Sequence, residues 1–457
     1  MSSKSSFSVR HRSAYYHLWT RATVRTTGGL SRAMRKRVLT AVCCLIVLAA
    51  SMMSVSFVNS KKDAEPAAVQ SGCSEAESIS ADHSEPAEPQ EAEEMRGIWI
   101  PCMALQADDN ERSEDSYRRK LSDIMQRCAE LGFNNVIVQV RPFSDALYPS
   151  EYFPWSHIIT GTQGEKADFD PLELMTEEAH SRGMKLHAWI NPLRISLGST
   201  PYELSDDNPF VVWQSDDDPD NDCFTFSCDN GIYYDPSYPQ VRRLIINGVR
   251  ELAEKYDIDG IQIDDYFYPS ESTDYDSKSY EAYTKTVGKD CTPLSQQEWR
   301  KNNINMLIAG MSSALHSAKK DALFGISPQG NFDNNEKMSA DTKSWCSYAG
   351  FADYICPQLY VSMEHPVFPF AELADRWLGY TKDNSIRLYL GLGLYKAGTN
   401  ADDGTWLSYS GNIRDQILYC RQHRTDGYII YSYEFFDSDN AAGEISNAIP
   451  ELKASVT

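Results

Sequence analysis

Residues 259–269 read Asp-Gly-Ile-Gln-Ile-Asp-Asp-Tyr-Phe-Tyr-Pro. The run predicts a buried strand that ends in two adjacent carboxylates, Asp264 and Asp265, followed by three aromatics and a proline. In a barrel of parallel strands the chemistry is kept at the C-terminal strand ends. Aromatic rings beside carboxylates suit a sugar, whose C–H faces stack on π-systems. The segment therefore points to cleavage of a glycosidic bond.

Working outward, strand patterns recur at 96–101, 134–142, 184–194, 323–330, 352–360, 387–395 and 427–436. Amphipathic helical stretches fall between them, at 115–131, 171–182, 238–256, 296–319, 370–381 and 411–424, with a last helix over 440–453. Alternating strands and helices of this number predict an α/β fold, a (β/α)8 TIM-type barrel with long βα loops. A doubly wound open sheet is the rival, and the absence of a glycine-rich phosphate turn after the first strand weakens it.

Strand side chains alternate between faces. One register is aliphatic, as in Val136, Val138, Val140 and in Ile261, Ile263, and should meet the helices. The other collects polar and aromatic groups: Gln139 and Arg141; His187, Trp189 and Asn191; Gln262, Asp264 and Tyr266; Gln358 and Tyr360; Ser432 and Glu434. Its polar members crowd toward the C-terminal ends, so a closed barrel would converge them on one mouth. Two long loops, 195–235 and 269–296, would flank that mouth.

Most glycoside hydrolysis needs two carboxyl groups, one as proton donor and one as nucleophile or base. Asp264 shares its register with Gln262 and is the expected nucleophile or electrostatic stabiliser. Asp265 either turns into the cleft or orients the loop. The second carboxylate should come from another strand. Glu434 would lie in the inward register of the last strand among Tyr431, Tyr433, Phe435 and Phe436, a setting that favours an acid. Asp145 is the other choice. Asp259 and Asp353 begin their strands and belong to the opposite, stability face. Arg141, His187, Asn191 and Arg194 are expected to orient substrate, with His187 and Trp189 equally readable as barrel packing. No spacing resembles a metal site, and no cofactor is implied.

Charge is uneven along the chain. Residues 1–37 hold nine Lys/Arg and no Asp/Glu, and the remainder carries 34 basic against 65 acidic residues. An acidic main domain excludes nucleic acid as its partner, because phosphate binding needs a basic surface. The uncharged apolar run 38–58 is long enough to cross a bilayer. It is expected to anchor the chain in the cell membrane with the barrel outside the cytoplasm, or to act as a cleaved signal. Residues 59–94 read as an acidic disordered tether and 95–457 as the barrel. Cys223 and Cys228 bracket a short turn and are candidates for a local disulfide.

The chain resembles the glycosyl hydrolase-like family 10 proteins. The resemblance rests on Met-Arg-Gly-Ile-Trp-Ile at 95–100, Asn-Asn-Val-Ile-Val-Gln-Val-Arg-Pro at 134–142, Asp145-Ala-Leu-Tyr-Pro-Ser, His187-Ala-Trp-Ile-Asn-Pro-Leu-Arg194, the run 259–269 and Pro357-Gln-Leu-Tyr360. It implies a (β/α)8 fold and a role on cell-wall or other extracellular glycans, including peptidoglycan strands. The fourth-strand run is also similar to the Asp-Gly-x-Asp-x-Asp-x-Glu motif of chitinase-type enzymes. Here Gln262 replaces the middle aspartate and Tyr266 the catalytic glutamate, which departs from the substrate-assisted mechanism. The competing reading is a non-catalytic glycan-binding barrel that scaffolds at the envelope.

Overall fold

The computed structural model describes residues 93–454, apart from 109, 199–202, 382, 384 and 424. The basic tail, the apolar run 38–58 and nearly all of the tether lie outside these residues. Among the described residues no helix is long and apolar enough to cross a membrane.

Eight parallel strands close into a barrel: β1 (Met95–Ile100), β2 (Asn135–Arg141), β3 (Lys185–Ile190), β4 (Gly260–Ile263), β5 (Leu323–Ile326), β6, β7 (Arg387–Gly393) and β8 (Gly427–Tyr431). Each pairs with its sequence neighbour, and β8 returns to β1. Strand β6 comes in two pieces, Tyr354–Ile355 and Gln358–Leu359. Pro357 falls in the gap and has no N–H to give to a ladder. The first piece pairs with β5 and β7, the second with β7.

Period-two alternation sorts the side chains into two cores. Outward residues such as Val136, Val138, Leu186, Ile261 and Ile263 join the layer beneath the helices. Inward residues form a separate barrel core of Met95, Trp99, Ile137, Trp189, Tyr354, Cys356, Tyr389 and Ile429. The barrel is thus packed, not hollow.

The helices start where local chemistry allows. Ser113 caps Glu114–Glu130, Asp170 caps Pro171–His180 with proline in the first turn, and Ser295 caps Gln296–Ala318. Side-chain oxygens at these positions satisfy N–H groups that the helix leaves unpaired. Between β5 and β6 two short helices, Phe332–Lys337 and Thr342–Trp345, replace a full crossover helix.

The N-terminal face shows a fourfold repeat. The residue before each even strand (Asn134, Asp259, Asp353 and Asp426) accepts a hydrogen bond on its side chain from the preceding odd strand. The donors are Arg96 N (2.8 Å), Leu186 N (2.8 Å), Phe324 N (2.6 Å) and Leu388 N (2.8 Å). His180 and His316 add second bonds to Asp259 and Asp353, at 2.8 and 2.9 Å. These aspartates clamp strand starts, as their position predicts. Asp353→Ala should lower unfolding stability by about 1–3 kcal/mol, the cost of stranding the Phe324 amide. Urea unfolding measures this.

Two loops build up the other face. The loop after β3 carries an antiparallel sheet of Arg194–Leu197, Gly231–Tyr234 and Thr225–Cys228, in that order. The expected disulfide is absent: Cys223 and Cys228 are free thiols. Cys223 sits in a 3-10 turn, and the extended strand Thr225–Cys228 carries the second thiol away from it. At about 3.3 Å per residue, that displacement exceeds the roughly 7 Å reach of a disulfide. The loop after β4 is held by a buried ion pair in which Arg300 Nε donates to Asp276 Oδ2 at 2.6 Å. Tyr275 of this loop stacks on Phe226 of the side sheet at 4.6 Å.

Candidate active site

Strand β4 ends at Ile263, so Asp264 and Asp265 stand just past the ladder at the barrel mouth. Asp264 is buried and accepts three N–H bonds. Trp189 Nε1 donates to Oδ2 at 3.1 Å, Asn191 Nδ2 donates to the same oxygen, and the Tyr266 amide reaches Oδ1 at 3.4 Å. Asn191 is itself held by Gln139, whose Nε2 donates to Asn191 Oδ1 at 2.8 Å. Gln139 Oε1 in turn accepts from the Cys102 amide at 3.1 Å. A chain of amides from β1 through β2 and β3 therefore fixes the Asp264 carboxylate.

Asp265 turns toward β5 and β6. Gln358 Nε2 donates to its Oδ1 at 3.0 Å and Gln329 Nε2 to its Oδ2 at 2.7 Å. Strict alternation would send Asp265 away from its neighbour, but the strand has ended and both carboxylates stay at the mouth. Burial pushes the Asp264 carboxyl up to about 7, with the Asp265 charge adding to the rise and Arg194 opposing it. Burial raises Asp265 as well, against its two amide donors. Two buried like charges side by side disfavour joint ionisation.

Arg194 lies under the rim with its guanidinium 4.0 Å from the Tyr266 ring centre and 5.0 Å from that of Phe143. It donates to Pro142 O at 3.4 Å and is almost fully buried. Its action on the aspartates is through charge and through holding Tyr266. Tyr360 meets Trp99, Tyr395 and Tyr431 at ring separations of 6.3, 5.6 and 5.6 Å, giving the mouth an aromatic wall.

Three expected site residues are placed otherwise. A bulge between Gln139 and Arg141 pairs Arg141 with Ile190 and turns it outward. Its guanidinium sits 4.3 Å from the Phe153 ring centre, in space left by Gly248, where a Cβ would come within 2.7 Å of Nη1. His187 has the inward register but the wrong depth. It pairs with Gly260 at the start of β4, and its Nδ1 lies 3.0 Å from Tyr354 Oη. Burial lowers its pKa to about 4, so it is a neutral core histidine below the mouth. Asp145 is fully buried, with Gln163 Nε2 donating to Oδ2 at 3.0 Å and His157 Nδ1 at 3.4 Å from the same oxygen. These two partners belong to the loop that follows β2.

Glu434 is corrected in setting but not in side. Strand β8 ends at Tyr431, and Glu434 stands in the 3-10 turn Tyr433–Asp437, exposed to solvent. The apolar surroundings expected for it are not there. Even so, β8 lies four strands from β4 in either direction around the barrel, directly across the mouth. Glu434 acts electrostatically on Tyr431, as Tyr266 does from the β4 side.

Gln329 escaped the sequence reading, although it continues the inward series Gly325, Ser327 in the strand-like run 323–330. Tyr395, the last residue of the run 387–395, and Tyr233, in the hairpin of the loop after β3, were also missed; the first lies past the strand in a 3-10 turn and the second inside a segment read as one long loop. Among the described residues no group of three or more His, Cys, Asp or Glu is placed to hold a metal.

Comparison with known proteins gives these features a family. The glycosyl hydrolase-like 10 model matches residues 94–408. Glycosyl hydrolase YngK of Bacillus subtilis (strain 168) is 34% identical over 343 residues, 69% of this chain and 64% of the relative. The chain thus spans less than two thirds of that relative. Glycosyl hydrolase DigH of Escherichia coli (strain K12) is 33% identical over 335 residues, 68% of this chain and 75% of the relative. In solved structures, the fold is similar to the PgaB (BpsB) glycoside hydrolase domain from Bordetella bronchiseptica. The TM-score is 0.51 at 14% identity, with 78% of this chain and 98% of that domain covered. The family match stops before β8. The chain belongs to the glycosyl hydrolase-like 10 family.

Proposed function

We propose that the protein hydrolyses O-glycosidic bonds of a cell-wall polysaccharide, with peptidoglycan glycan strands as the first substrate to test, outside the membrane that residues 38–58 would anchor it to. The observation that carries this reading is the Asp264 carboxylate, buried at the C-terminal end of β4 and gripped by Trp189 and Asn191. Its three N–H donors favour the ionised form and fix its direction, which a nucleophile or charge stabiliser requires. Glu434, across the mouth, protonates the departing oxygen. Asp265 is a positioning residue whose charge tunes Asp264. The direct test incubates the purified full chain with glycan strands, stripped and unstripped of peptides, and measures new reducing ends. Binding without release from any glycan would favour a scaffolding barrel instead.

The electrostatics give this reading a pH dependence. Asp264 must be ionised and Glu434 protonated for turnover, so kcat/KM should carry an acid limb near pH 7 from Asp264 and fall again where Glu434 loses its proton. Asp265→Asn removes the neighbouring charge, and the acid limb should then move to lower pH. An unmoved limb in the pH–rate profile would contradict the coupling.

A further inference from the structure

A cavity of about 270 Å³ opens between the side sheet, which contributes Leu197, Asn230 and Tyr233, and the segment after β4, which contributes Tyr266 and Pro269. Tyr266 joins it to the carboxylates, because its ring forms the wall while its amide donates to Asp264. Tyr233 lies within electrostatic reach of Asp264 from the other side. Among the described residues no lining residue is Lys, Arg, Asp or Glu, in a chain whose formal net charge is −22. The tyrosines stay neutral, since burial raises both above the usual value. Leu197 is 53% exposed at the edge, an unusual place for a large apolar side chain among short polar loops.

We propose that this cavity is a second sugar subsite, which takes one neutral pyranose unit of the glycan next to the unit held at Asp264. Flat aromatic walls suit the C–H face of a pyranose, and the Asn230 amide offers both a donor and an acceptor to its hydroxyls. The uncharged lining selects against an ionised sugar, whose charge would lose water without gaining a partner. The volume falls just under the roughly 300–1,000 Å³ of sites for drug-sized ligands, which fits one ring and not a longer segment. The protein then acts within a chain and gains affinity as the chain lengthens. The inference rests on the glycosidase reading, which supplies the neighbouring subsite.

The test uses peptide-stripped glycan strands and a tetrasaccharide prepared from them. Calorimetry follows tetrasaccharide binding to the full chain carrying Asp264→Asn, which blocks turnover. Adding Leu197→Glu should weaken that binding roughly tenfold, as expected for a charge placed against a desolvated contact, and Asn230→Ala should weaken it by a smaller factor. Both residues are surface-exposed, so folding is spared. Met306→Glu, at another exposed apolar residue, on the helix Gln296–Ala318, should leave binding unchanged. Equal affinity in all variants overturns the subsite. Weakened binding with no reducing ends from the wild type upholds the subsite and overturns hydrolysis. A wild type that neither binds nor cleaves overturns both.

Discussion

Asp264→Asn should lower the rate of glycan cleavage by roughly 1,000-fold or more, the scale of losing a nucleophile or an aligned transition-state charge. The replacement is nearly isosteric, and one amide oxygen remains to accept from Trp189 or Asn191. Stability should not fall with activity. The Asp264 carboxyl is raised from 3.8 to about 7, so the folded state holds its proton more tightly than the unfolded chain. By linkage, this group costs stability progressively as pH rises from about 4 to 7, and the whole cost is present above 7. Asparagine carries no such charge. At pH 8 the variant should therefore unfold at the wild-type temperature or above it. Paired measurement of reducing-end release and thermal midpoint checks both halves. A large drop in midpoint would make the lost activity a folding effect.

The second large effect concerns the proton donor. Glu434→Gln should slow hydrolysis of natural glycan by about 100- to 10,000-fold, the usual contribution of a positioned general acid. The same variant should lose far less on a glycoside with a nitrophenolate leaving group. A sugar alkoxide needs a proton to depart, whereas a nitrophenolate leaves without one. The loss should therefore shrink as the leaving group becomes more acidic. Equal losses on both substrates would assign Glu434 a binding role. Glu434 is exposed in the free protein, so its acid role depends on a bound glycan that covers the 3-10 turn and removes its water.

Much of the barrel was legible because its signals are local. Each strand carries an aliphatic outward register, and all eight strands lie within the runs read from sequence, to within a residue at the N-terminal ends. Those runs extend too far at the C-terminal ends, as with 184–194 against Lys185–Ile190. The reason is physical. Residues beyond the ladder still face the mouth, so the pattern outlasts the pairing.

The site was legible by face but not by depth. His187 and Asn191 share a register, yet only Asn191 stands high enough to touch Asp264. Periodicity reports which side of the sheet a residue takes and is silent on its height in the barrel. A single bulge was enough to send Arg141 to the helices. Asp265 remained at the mouth because alternation ends with the strand. The hairpin of the β3 loop did carry a signal, since Asp229-Asn230-Gly231 is flanked by Thr-Phe-Ser-Cys and Ile-Tyr-Tyr, a turn between strand formers. Reading 195–235 as one long loop hid the wall of the second subsite.

The central claim is that a carboxylate at the end of β4 performs glycosidic hydrolysis. One measurement bears on it most directly: release of reducing ends from peptide-stripped glycan strands at pH 7, with the wild type and Asp264→Asn side by side. The account predicts steady release by the wild type and none above background by the variant. Equal release by the two proteins would contradict it.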